Sequence, residues 1–164
     1  MHRTRAMEEA GFTLIEMVLV ILLLGFIAAV VIPRFPRHPK AGLAARRLVS
    51  DIRYAKELSM RLQTMSGVYF ISSTEYRVFQ NNDINTAAKD PHTGTDFVVT
   101  LDGQLSGVTI TQGLSGSTLK FNSLGTPLDG ADTPLAAAAT ITVTDGAIPQ
   151  TVTIEPNTGR VTGS

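Results

Sequence analysis

One carboxylate interrupts the most apolar stretch of this 164-residue chain: residues 12–32 carry no charge except Glu16. An ionisable side chain in such a run costs a few kcal/mol to place in lipid and marks a functional position, unless it merely reaches out to the interface. A cation held at the same depth would compensate it. Cutting the chain after Gly11 would supply one, because Phe12 would then present a free α-amino group. The chemistry these residues suggest is therefore pairing between an acid and a freshly created amine.

Other constellations offer less. His2, His38 and His92 are far apart and fall in a tail, a break and a loop, so no metal cluster is expected from them. Asn81, Asp83 and Asn85 have the alternating oxygen spacing that starts a calcium loop. Thr86, however, stands where glycine is needed and His92 where glutamate is needed, which favours an ordinary polar loop. Neither a Gly-x-Ser-x-Gly nor a His-Glu-x-x-His motif occurs, nor a Gly-rich phosphate loop. With no cysteine, disulfides, thiolate metal sites and cysteine-based lipid anchors are excluded. Nothing recommends an enzyme or a cofactor.

The elements that would position Glu16 follow from periodicity. As a helix, residues 12–32 rise about 30 Å, the thickness of bilayer hydrocarbon, and they predict a transmembrane segment. The run is longer than a secretory signal's apolar core, and Ala28-Ala29-Val30 is a poor cleavage site. Arg3 and Arg5 precede it while Arg34, Arg37 and Lys40 follow it, so charge counting leaves orientation open. Gly25 and Ala29 form a small-x-x-x-small pair that would let another helix approach. Pro33, Pro36 and Pro39 then predict a break.

From about 41 to 65, Leu48, Ile52, Ala55, Leu58 or Ser59, and Leu62 recur at three- and four-residue steps, predicting an amphipathic helix. Beyond Gly67 the period becomes two. "VYFIS" and "EYRVFQ" read as a hairpin, followed by strands at "DFVVTL", "VTIT", "TLKFN", "TITVT" and "TVTIE". Ile141, Val143, Val152 and Ile154 alternate with threonines, giving one buried and one wet face. Residues 81–96 show no apolar period and predict an exposed loop. Residues 33–61 hold eight Lys/Arg against two acids, whereas 62–164 hold four against nine. That basic excess suits lipid headgroups or acidic neighbours better than DNA.

"GFTLIE", an apolar helix of some twenty residues and Pro33 together resemble the class III signal of type IV pilins and type II secretion pseudopilins. The resemblance implies that a prepilin peptidase cleaves between Gly11 and Phe12 and N-methylates Phe12, and that Glu16 serves filament assembly. It implies an inner-membrane, single-pass subunit with its leader in the cytoplasm and its head in the periplasm, handed to an assembly platform and to other pilins. The remainder, with "SGVYFISSTEYRVFQ", "LKFNSLGTPLDG" and "TVTIEPNTGRVTG", resembles the GspH/FimT group of minor pseudopilins and pilins.

The implied fold is α+β and pilin-like, a long N-terminal helix packed on an antiparallel β-sandwich-like head. The expected divisions are a leader (1–11), a transmembrane helix (12–32), a kinked stem with an amphipathic helix (33–66) and a globular β head (67–164). The implied function is structural, in a type II secretion pseudopilus or a type IV pilus. A membrane-tethered module capturing DNA or an exported protein is the alternative. Against DNA, the Gly-Arg-x-Arg element of some FimT-type proteins is matched here only by Gly159-Arg160-Val161-Thr162, which lacks the second arginine.

Overall fold

The structure, a computed structural model, describes residues 13–31 and 40–164. Gly11, Phe12, the leader and the proline break lie outside the described residues. Two compact units divide between Arg37 and His38.

In the first unit, helix α1 spans Leu14–Val31 and contains a single acid, Glu16, in its first turn. Apolar side chains from Leu14 to Ile27 are exposed on every side of it. A helix this apolar all round has no wet face to offer, so it needs lipid or other helices around it. Its 18 residues rise about 27 Å. Among the described residues no helix is long and apolar enough to cross a membrane. The expected 12–32 segment includes Phe12 and Ile32, which are not described.

The second unit begins with helix α2, Lys40–Leu62. Its buried positions, Ala41, Ala44, Ala45, Leu48, Val49, Ile52, Ala55 and Leu58, follow the helical period and form one apolar stripe. Four alanines on that stripe favour the helix and let strands come close. Gln63 ends the helix in the left-handed conformation (φ 55°), and its Nε2 donates to the Met60 carbonyl at 2.6 Å. Glutamine thereby serves at a position where glycine is usual.

Ten strands follow: β1 Ser66–Ser72, β2 Glu75–Gln80, β3 Asp83–Ala87, β4 Val98–Thr100, β5 Thr109–Gln112, β6 Thr118–Phe121, β7 Pro127–Leu128, β8 Ala139–Thr144, β9 Gln150–Ile154 and β10 Val161–Gly163. One antiparallel sheet runs β3-β2-β1-β6-β7, with β4 also on β2, and the other runs β10-β9-β8-β5. In the first hairpin Val68 faces Val78 and Phe70 faces Tyr76. The Ser73-Thr74 turn reaches toward the second sheet: Ser73 O accepts from the Ile110 N–H at 2.7 Å.

Helix α2 packs on strands of both sheets. Leu48 and Ile52 meet a core containing Tyr76, Leu119, Phe121, Ile141, Val143, Val152 and Ile154, all essentially inaccessible to solvent. The alternation read in "TITVT" and "TVTIE" thus fills the core with four aliphatic side chains. Every buried hydrophobic residue described lies between Ala41 and Val161, so this unit has a complete core of its own.

One sequence expectation is corrected. Residues 81–96 contain β3 and a Lys89–Asp96 bridge rather than loop alone. As an edge strand with mostly exposed side chains, β3 has no face to bury and hence no apolar alternation. Its start is fixed instead by Asp83, whose carboxylate accepts from the Asn85 N–H (2.9 Å) and the Thr86 hydroxyl (2.6 Å).

Gly67 has a steric role within β1. A side chain there would run into the Leu119 carbonyl of β6. Gly67→Ala is expected to cost about 1–3 kcal/mol, as overpacking does, and a denaturant melt of the head measures it. An unchanged midpoint would show that the two strands can part without penalty.

Candidate functional site

Of the residues singled out in the sequence, Glu16 is described and Gly11 and Phe12 are not. The Glu16 N–H is shared between the Thr13 carbonyl at 3.1 Å and the Thr13 hydroxyl at 3.4 Å, and the Met17 N–H reaches the same carbonyl at 3.3 Å. Thr13 therefore caps the first turn. Thr13-x-x-Glu16 is the spacing of a capping box, a signal the sequence reading passed over. An acid in the first turn also faces the positive end of the helix dipole. The Glu16 side chain is exposed, and among the described residues no cation lies within ion-pairing distance of it. What this end of α1 presents is one acid at the head of an unpartnered apolar rod.

On the head, α2 spends several of its cations on its own chain. The Lys40 ammonium donates to Ser106 O at 3.0 Å, Arg53 to Val161 O at 2.6 Å, and Lys56 to Thr158 O at 2.6 Å. The last two clamp the C-terminal segment along the helix. Gly159 is buried with φ 58°, and a Cβ there would meet the Gly125 carbonyl and the Phe121 ring. Glycine is needed twice over, for conformation and for space. Arg160, next in line, is exposed, and its nearest acid is Glu155 at 3.7 Å. The basic excess of 33–61 is thus partly structural, which residue counting could not reveal.

An acid of α2 points inward, a feature the helical period did not predict. Asp51 is 8% exposed, and its carboxylate accepts from the buried Tyr76 hydroxyl at 2.7 Å while Arg47 stands 3.8 Å away. Burial raises the Asp51 carboxyl above its ordinary 3.8, outweighing the lowering by Tyr76 and Arg47. Burial, together with the neighbouring carboxylate, also raises the Tyr76 phenol. Because the folded state holds this proton more tightly, the Asp51 contribution to stability is greatest below 3.8 and declines as pH rises through the raised folded value. Asp51→Asn, which can still accept from Tyr76, is expected to flatten that decline in a series of melts from pH 3 to 7. A variant that declines as steeply as the parent would place the titration elsewhere. Tyr76→Phe leaves the acid short of its donor and should cost about 1.5–3 kcal/mol.

His92 is exposed on its loop, where its backbone N–H donates to the Asp90 carboxylate at 2.7 Å. Among the described residues no group of three or more His, Asp or Glu could hold a metal ion.

Comparisons with known proteins agree with this architecture. The solved structure of the type IV minor pilin FimU from Pseudomonas aeruginosa PAO1 superposes with a TM-score of 0.50 at 13% identity, over 75% of this chain and 87% of that one. In a second crystal form the same protein gives 0.48 at 14% identity, over 75% and 91%. The first of these likenesses shows an α+β pilin fold. No curated protein matches the sequence. The family model of the type II transport protein GspH matches residues 44–159, from the first turns of α2 through both sheets to the Gly159 turn, and the chain belongs to that family.

Proposed function

We propose that the protein is a minor pilin-like subunit, held by residues 12–32 in the inner membrane until it joins a pseudopilus or pilus. The observation that carries this reading is α1, an apolar helix with no buried face of its own and one acid in its capped first turn. Such a rod becomes stable outside lipid only among other apolar helices. The acid then has a use, because the Phe12 ammonium of a neighbouring copy or related subunit can neutralise it. Prepilin peptidase would create that ammonium by cutting after Gly11 and would methylate it. The head, carried on α2, stands on the periplasmic side and takes no chemical step.

Sheared filament fractions test this. They should contain the chain in its shortened form. Recovery only from the membrane fraction, in cells that build filaments, would leave a tethered module as the better account.

A further inference from the structure

Near the N-terminal end of α2 the head carries an open groove of about 440 Å³, lined by Arg46, Ser50 and Arg53 of the helix and by Gln150, Gly163 and Ser164. Steps of four and three residues put the two arginines and the serine on one helix face. Val161 O holds the Arg53 guanidinium in place through one N–H at 2.6 Å, leaving other donors of the fork available. Among the described residues Arg46 has neither a hydrogen-bond nor an ion-pair partner from its side chain. Two preplaced guanidiniums and a hydroxyl are donors suited to a phosphate.

Two large apolar side chains are exposed at this end. Leu43 is 52% and Ile148 62% exposed. Ile148 belongs to the loop after β8, two residues before Gln150 of the groove, and the Asp145 carboxylate in that loop accepts from the Ala147 N–H at 3.2 Å. That acid is turned to its own loop, and Asp51 is buried beneath Tyr76. Exposed apolar groups beside cations form the pattern of a surface that rests in a membrane interface. Lys40 is nine peptide steps from Val31, a reach of about 30 Å at most.

We propose that this end of the head docks on the bilayer before assembly, with the phosphate of an anionic glycerophospholipid in the Arg46–Ser50–Arg53 groove and Leu43 and Ile148 against the glycerol level. The proposal rests on residues 12–32 being the membrane segment. It gives the subunit a parked state in which the head is kept on the membrane until neighbours replace lipid.

The test uses residues 38–164, which hold a complete core, in co-sedimentation with phosphatidylcholine vesicles with and without phosphatidylglycerol. Binding is expected only when the anionic lipid is present, and it should weaken with salt. Arg46→Glu should weaken it by about tenfold, and Leu43→Asp with Ile148→Asp should remove it. Arg61→Glu, the same charge change at the other end of α2, should leave it intact. Melts matching the parent's exclude unfolding as the cause. Equal binding to neutral vesicles, equal loss in Arg61→Glu, or displacement by inorganic phosphate at matched concentration would overturn the proposal. None of these outcomes bears on the subunit reading, which is scored by presence in filaments.

Discussion

In cells making the Glu16→Ala variant, the leader is expected to be removed normally while the protein is nearly absent from sheared filaments. The reason is energetic. Removing one partner of a desolvated ion pair strands the other, at about 3–5 kcal/mol, which corresponds to a loss of incorporation of roughly a hundredfold to several thousandfold. The head, whose core lies in residues 41–161, should melt as before. Glu16→Gln separates charge from capping, because glutamine suits the same capping-box position yet cannot neutralise an amine. Failure of the glutamine variant alongside the alanine one supports pairing. Incorporation of both at the parental level would show that the acid does nothing beyond starting α1.

Gly11→Leu should act one step earlier. A side chain at the scissile position is expected to leave the precursor uncut, so immunoblots would show only the longer form, in the membrane. No Phe12 ammonium then exists, and filaments should lack the protein even though Glu16 is intact. Substitution without effect on chain length would mean that Gly11 is not where the chain is processed.

How legible the molecule was in its sequence depended on whether a residue's partner was local. The 3.6-residue period of α2 was plain because its whole apolar stripe meets one core, and the strands β8 and β9 were plain because each has one wet face. β3 was not, since an edge strand held by Asp83 and backbone pairing carries no hydropathy signal. β7 and β10 were missed because two or three residues are too few to show a period. In the same way no local pattern points to the partners of Arg53 and Lys56, which are carbonyls more than a hundred residues away. Nothing local marks Asp51 as buried, since only the tertiary fold puts Tyr76 above it. Glu16 stood out because its environment is written in its immediate neighbours. Thr13, three positions back, is equally local, and its spacing to Glu16 is itself a capping signal.

Intact-mass and N-terminal fragment analysis of the protein recovered from filaments addresses the account most directly. The expected chain starts at Phe12 and bears one methyl group on its amine. A filament-borne chain still carrying residues 1–11 would contradict it, since Glu16 would then have no ammonium to meet.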